Sequence, residues 1–260
     1  MALSVVIVAQ DEERTIGKVI EAIKPIADEV LLIDSGSTDK TIEIAQALGA
    51  ECRHQDWLGY AAQKNLALSL AKHDWVLSLD ADEIVTPELV AEIKQVLDDP
   101  NATEYDGYRI PRMLYIGDVE VKHGGFYPDA QLRLIKRGKG QFNDRLVHEA
   151  IKMDGPVKLM NNFMRHYAYK DVAGFSAAME KYARLSAKEY ARRNKFGWKC
   201  HPLNEMLHPV WTFCLRYFGR AGFLDGSLGL KLAGIYSDYV RKKIRYLREL
   251  EASPNEVKTT

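Results

Sequence analysis

Trp75-Val76-Leu77-Ser78-Leu79-Asp80-Ala81-Asp82-Glu83 is the stretch whose reading decides the fold. Its first five residues make a short, largely apolar run, the length of a strand buried on both faces of a parallel sheet. Three carboxylates then fall within four residues, Asp80 to Glu83. Thr86-Pro87 follows with a helix cap and a proline suited to the first helical position, and Leu89, Ile93 and Leu97 share one face. Strand, acidic loop and helix are the opening of a βαβ unit.

The same rhythm runs upstream. Leu3 to Val8 (LSVVIV) reads as a buried strand, and Ile16, Val19, Ile20 and Ile23 recur at helical spacing behind it. Val30 to Ile33 is a second strand, ending in Asp34-Ser35-Gly36-Ser37-Thr38-Asp39, a cluster rich in turn formers and helix caps. Helices are expected from about Thr41 to Leu48 and from Tyr60 to Lys72. Alternation of this kind predicts an α/β fold with right-handed crossovers. From Tyr105 to about His166 the pattern changes to short strands, such as Gly107–Ile110 and Gln131–Ile135. After Asp171 it turns helical, with Phe175, Met179, Tyr182, Ser186 and Tyr190 on one face.

Composition excludes several classes. The 260 residues are 47% hydrophobic and 28% charged with zero formal net charge, as in an ordinary globular chain with no field that favours nucleic acid. Cys52, Cys200 and Cys214 are scattered, which fits reduced thiols in a cytosolic setting rather than a disulfide framework or zinc knuckle. No secretory leader is read at the N-terminus. Arg216, Asp225 and Lys231 interrupt the longest apolar stretches, so none reaches the roughly 18–20 residues of a spanning helix.

In an open α/β sheet, ligands bind beyond the carboxyl ends of the strands. Three strand ends here are acidic: Gln10-Asp11-Glu12-Glu13, Asp34 to Asp39, and Asp80 to Glu83. Carboxylates gathered there suit gripping ribose hydroxyls or holding a hard divalent cation that bridges phosphates. A lone D-x-D is a weak signal, but its position after a buried strand strengthens it. Neither G-x-G-x-x-G nor G-x-x-x-x-G-K-[ST] is present, which disfavours a dinucleotide dehydrogenase and a P-loop NTPase. Ala9-Gln10-Asp11-Glu12 is not the glycine-rich loop a sugar nucleotidyltransferase would use.

Taken together, Ser4–Thr15 (SVVIVAQDEERT), Asp34–Thr41 (DSGSTDKT), Gln63-Lys64-Asn65 and WVLSLDADE resemble family-two glycosyltransferases of the GT-A fold. That resemblance implies a Rossmann-like mixed sheet flanked by helices, with a helical C-terminal extension. It implies a catalytic domain over 1–170, divided at about 104/105 into nucleotide-binding and acceptor-side halves, with the extension over 171–260. Tyr127-Pro128-Asp129, Gln131-Leu132-Arg133-Leu134, Val147-His148-Glu149 and Gly222–Gly226 are similar to the branch that adds β-glucose to the first heptose of the lipopolysaccharide inner core.

Residue by residue, the resemblance implies that Ala9, Gln10 and Glu12 line the base pocket. Many relatives have Tyr-Asn-Glu where this chain has Gln10-Asp11-Glu12. Asp34 would bond the uracil or ribose, Asp80 the ribose, and Asp82 would ligate Mg2+ or Mn2+. Lys64 reads equally as a phosphate contact or a solvated helix lysine. His166 would complete the metal shell, against the commoner structural role of a histidine. An inverting displacement needs a carboxylate to take the acceptor proton. Glu149 is the first candidate, Asp129 the second and Asp144 the third; an ordinary surface ion pair is the bland alternative for Glu149. His148 would orient its neighbour or the acceptor, and His123-Gly124-Gly125 reads equally as an acceptor-side loop or a plain turn.

Between residues 181 and 250 there are fifteen Lys or Arg against five Asp or Glu, interleaved with Trp198, Trp211, Phe213, Tyr217, Phe218 and Phe223. Basic helices of this kind suit an anionic membrane surface or a phosphorylated lipid-linked acceptor, each cation contributing about 1 kcal/mol near such a surface. A solvated face over packed aromatics is the alternative. The expected protein is a cytoplasmic enzyme at the inner-membrane face that uses UDP-glucose and a lipid-linked core oligosaccharide. Two further readings are a same-fold transferase for another lipid, polysaccharide or protein acceptor, and a non-catalytic nucleotide-sugar-binding module. The Asp80/Asp82 pair weighs against the last.

Overall fold

The computed structural model describes residues 1–99, 104–144 and 150–252. They divide into two compact units: residues up to Leu114, Pro128–Asp144 and on to Ala168 form one, and Tyr115–Tyr127 with the chain from Tyr169 onward the other.

The first unit is built on a seven-stranded sheet. β1 (Leu3–Ala9) lies between β2 (Glu29–Asp34) and β4 (Trp75–Asp80), parallel to both, and β3 (Glu51–His54) pairs parallel with β2. Beyond β4 the direction reverses: β9 (Gln131–Lys136) is antiparallel to β4 and to β6 (Gly107–Ile110), whose other edge carries β12 (Val157–Leu159) in parallel. The sheet is therefore mixed, as the family resemblance implies.

Alternation along β1 feeds two cores. Leu3, Val5, Ile7 and Ala9 enter one core and Val6 the other, because successive side chains leave opposite faces of a strand. The first core is closed by α1 (Ile16–Ile23), whose Ile16, Val19, Ile20 and Ile23 are all 0% exposed, and by α4 (Pro87–Asp98) through Leu89, Ile93 and Leu97. Thr86 caps α4 as its sequence predicts, accepting from Leu89 N. The second core takes Ala67 and Leu68 of α3 (Tyr60–Leu70), with Phe142 of β10 (Gln141–Phe142) and Ile151 of β11 (Ile151–Lys152). α2 (Thr41–Ala47) precedes β3.

One local expectation is corrected, and one strand had no expectation. α3 stops at Leu70, two residues early, because Ala71 takes an extended conformation. β3 gave no apolar signal, being a sheet edge of Glu, Cys, Arg and His.

In the second unit, α5 (Val172–Arg192), α6 (Pro202–Cys214) and α7 (Gly226–Ala252) pack together. Phe175, Met179 and Ser186 are buried on α5, while Tyr182 and Tyr190 are half-buried. The turn between β7 (Arg112–Ile116) and β8 (Val119–Val121), together with the segment after it, clusters with these helices. The bonds explain why. Arg216 Nη1 donates to Gly124 O at 2.6 Å, the Asp225 carboxylate meets His123 N and Nδ1 at 2.9 and 2.7 Å, and Phe126 packs edge-on against Phe175 and Tyr236. His123-Gly124-Gly125 is thus a turn tied to helical segments.

Candidate functional site

The register sets the site. Ala9 pairs with Asp34 and Val8 with Asp80, so the acids ending β2 and β4 flank the carboxyl end of β1. The loops above are cross-braced. Asp11, at φ +56° in the left-handed region that aspartate tolerates, accepts from Thr38 N and Oγ1, while its own N donates to Ser37 Oγ. Glu12 N donates to Thr41 Oγ1 at 2.7 Å and Glu13 N to Asp39 at 3.0 Å.

Asp34 is 1% exposed and accepts from Gly36 N, Ser37 N and Ser37 Oγ. Its carboxylate holds the turn in shape, a role the ligand-binding expectation did not include. Ala9 is likewise a core residue, 3% exposed, with its carbonyl accepting from Ser35 N. Its neighbour Gln10 is exposed.

Around Asp80 the charges alternate. Lys64 Nζ lies 2.7 Å from Asp80 Oδ1, and Arg133 Nη2 lies 2.6 Å from Asp80 Oδ2 and 2.5 Å from Glu83 Oε1. Arg112 Nη1 reaches the same Glu83 oxygen at 2.8 Å and pairs through Nη2 with Asp129. Burial alone would raise the Asp80 pKa; the Arg133 guanidinium and Lys64 ammonium outweigh it and hold the carboxyl well below the usual carboxylate range. Asp129 follows the same logic, lowered against burial mainly by Arg112, with Gln131 Nε2 donating to it at 2.7 Å.

Asp82 faces His166 on β13 (Met164–Tyr169), which pairs antiparallel with β5 (Glu83–Val85) and so comes back beside the acidic loop. His166 Nε2 is 3.5 Å from Asp82 Oδ2. Burial opposes the charge on each, and their mutual attraction wins: the Asp82 pKa is lowered and the His166 pKa raised. Asp82 Oδ1 is buried and lacks a hydrogen-bond partner. A buried carboxylate oxygen without a donor is costly, and a divalent cation is one group that would satisfy it. Among the described residues no cluster of three or more His, Cys, Asp or Glu forms a protein-only cage. Asp82 and the His166 beside it would be the residues to hold such a cation, most of whose ligands would come from a bound diphosphate and water.

α3 braces this corner. Gln63 is 0% exposed, donating to Ser35 Oγ and Gln55 O and accepting from Leu58 N. Asn65 bonds both backbone groups of Phe142, at 3.0 and 2.7 Å. Lys64 is 9% exposed and lies 5.3 Å from the Phe142 ring centroid, so the solvated-lysine reading is corrected: its ammonium is held against Asp80.

Thus Asp80, Asp82, Lys64, His166 and Asp129 converge on one charge network. Glu12 is coupled to it, its pKa raised by burial first and by Asp82 among the lesser causes, with Thr15 opposing. Glu149, with Val147 and His148, lies outside the described residues. Sequence reasoning assigned no role to Arg112, Arg133 or Glu83. A signal existed for Arg133: it stands in the apolar run Leu132-Arg133-Leu134-Ile135, where a buried charge demands a partner.

A Rossmann-like mixed sheet with acids at adjacent strand ends is the architecture that the resemblance to GT-A glycosyltransferases implies. Residues 4–118 match the model of Glycosyl transferase family 2. An uncharacterized glycosyltransferase of Rickettsia typhi is 29% identical, the match covering 98% of this chain and 89% of that one. The lipopolysaccharide core biosynthesis glycosyltransferase LpsC of Rhizobium meliloti is 28% identical, over 98% and 96%. Among solved structures, glucosyl-3-phosphoglycerate synthase from Mycobacterium tuberculosis, in complex with Mn2+, UDP and glucosyl-3-phosphoglycerate, aligns over 44% of each chain with 28% identity and a TM-score of 0.37.

Proposed function

We propose that this protein is a metal-assisted, inverting hexosyltransferase that moves glucose from UDP-glucose to a heptose of the lipopolysaccharide inner core. The observation that carries the donor half is the buried, unbonded Asp82 Oδ1 beside His166, two residues from an Asp80 fixed by Arg133 and Lys64. The description of LpsC as a core-biosynthesis enzyme supports the acceptor half.

Asp82 and His166 would hold Mg2+ or Mn2+, which when bound neutralises the charge growing on the departing diphosphate. Lys64 adds a fixed cation at the same strand end, already oriented by Asp80 and requiring no rearrangement. Asp34 and Asp11 keep the two loops beside β1 in shape, and Gln10 and Glu12 offer polar side chains toward the base. Asp129 is kept ionised by Arg112, which weakens it as a proton acceptor and suits it to holding Arg112 and Gln131 in position. Glu149 is the proposed base.

No described helix is long and apolar enough to cross a membrane. α6 nevertheless exposes an apolar stripe, with Leu203 45%, Met206 70%, Leu207 55%, Val210 63% and Trp211 65% accessible. These positions recur at i, i+3, i+4, i+7 and i+8 and so share one helix face. An amphipathic helix in a basic segment is suited to lie in the interface of an anionic bilayer. We place the enzyme peripherally on the cytoplasmic face of the inner membrane.

The test is release of UDP from UDP-glucose with Mg2+ or Mn2+ against EDTA, with and without heptose-bearing core lipid. Metal-dependent release stimulated by the lipid is expected. Turnover only with another donor or acceptor would overturn the substrate assignment; silence with every donor despite nucleotide binding would favour a binding module.

A further inference from the structure

Within the helical unit, α5, α6 and α7 border a cavity of about 510 Å3, a volume in the range of small-molecule sites. Its walls carry Arg193, Lys195, Arg216, Arg220 and Lys243 against one acid, Glu189. Two of these cations are already engaged. Arg193 Nε lies 2.5 Å from Glu189 Oε1, and Arg216 donates to Gly124 O while stacking 3.4 Å from the centroid of Tyr236. Lys195, Arg220 and Lys243 make no ion pair among the described residues.

Two of the three unmatched cations, Arg220 and Lys243, are held by the fold. Arg220 lies across the backbone of Gly125, where a Cβ would come within 2.3 Å of Nη1; glycine leaves that space open and also supplies φ +76°. Lys243 Nζ sits over the rings of Tyr190 and Tyr239, at 5.3 and 5.4 Å from their centroids. Burial pushes the Lys243 pKa down, and Lys199 adds to the effect. A half-buried ammonium over aromatic faces, with a second cation nearby and no carboxylate, is an unfavourable state that a bound anion would relieve. Neutral donors stand beside it: Tyr239 Oη and Ser186 Oγ are 3.0 Å apart, and burial raises the Tyr239 pKa to about 12, so its hydroxyl keeps its proton.

We propose that this cavity is a second binding site, for a phosphomonoester. Such a group carries about −1.5 to −2 charges at pH 7 and three acceptor oxygens, which matches three unpaired cations better than a carboxylate would. The cavity opens to solvent on the side of Lys195 and Arg220, which are exposed, so a phosphate could enter while the group that bears it stays outside. None of the strand-end residues lines it, so the site does not depend on the donor-site reading.

Isothermal titration of the full chain tests this, with inorganic phosphate, glycerol 3-phosphate and monomeric dihexanoyl phosphatidic acid as probes. Saturable binding is expected, weakened at least about tenfold in the Arg220→Gln/Lys243→Gln double variant and unchanged in Lys64→Gln. Neither Arg220 nor Lys243 has a carboxylate to strand, so the double variant should keep the parent circular dichroism and melting point. Tighter binding of phosphatidic acid would identify a lipid headgroup as the source, and equal or tighter binding of glycerol 3-phosphate a soluble phosphate. No saturable binding of any probe, unchanged affinity in the double variant, or loss confined to Lys64→Gln would each overturn the proposal.

Discussion

Arg133 and Glu83 meet at 2.5 Å in the interior of the sheet unit, with side chains 5% and 0% exposed, and the same guanidinium nitrogen also reaches Asp80. One residue of an antiparallel strand thereby fixes the acid that ends β4 and the acid that opens β5.

Removing that guanidinium should be expensive. Arg133→Met would leave Asp80 to Lys64 and Glu83 to Arg112, and breaking a buried pair from one side costs about 3–5 kcal/mol. Urea unfolding measures this directly; a loss below about 1 kcal/mol would mean the network is not structural.

Asp82→Ala should behave differently. The carboxylate carries a buried oxygen with no hydrogen-bond partner and one weak contact to His166, so the fold should survive with its far-UV circular dichroism unchanged. Turnover should fall by about 10²-fold or more, the scale of losing one electrostatic stabiliser. Normal turnover in this variant would refute the metal assignment.

The exposed stripe on α6 predicts lipid binding that sums apolar and ionic contributions. Val210→Glu/Trp211→Glu should reduce co-sedimentation with phosphatidylglycerol vesicles at least about tenfold, and added salt should weaken the parent protein's binding. Equal sedimentation of parent and variant would remove α6 from the interface.

Glu29 gives a pH signature of stability. Burial opposes its ionisation, but bonds from Lys72 and Ser4 prevail and its pKa lies below the ordinary value. A carboxylate depressed in the folded state adds stability above its unfolded pKa of about 4.3, and that contribution is lost as pH falls through the folded value. Glu29→Gln should therefore flatten the acid limb of a melting-point profile between about pH 5 and pH 3. Superimposable limbs would show that the bonds contribute nothing.

Much of the fold was legible because burial leaves a periodic trace. Ile16, Val19, Ile20 and Ile23 announce α1, and the run ending at Leu79 announces β4 with its acids. What could not be read depends on strands meeting from distant parts of the chain. Which acids Arg133 meets is set only when β9 docks against β4, and β3 has no apolar phase at all. Asp34 shows a different limit. A carboxylate at a strand end can accept from a ligand or from its own turn, and the sequence Asp-Ser-Gly-Ser serves both.

The Asn65 amide grips the main chain of Phe142 and not its ring. Such an anchor is indifferent to which side chain occupies position 142, whereas Lys64, one residue before Asn65, looks toward that ring. The strand can accordingly be rewritten without slipping its mooring, and each rewriting would change the surroundings of the Lys64 ammonium. That separates what fixes the strand's place from what surrounds the Lys64 ammonium. Phe142 is itself 4% exposed in the second core, so only apolar replacements of similar volume would change the ammonium's surroundings without loosening the strand.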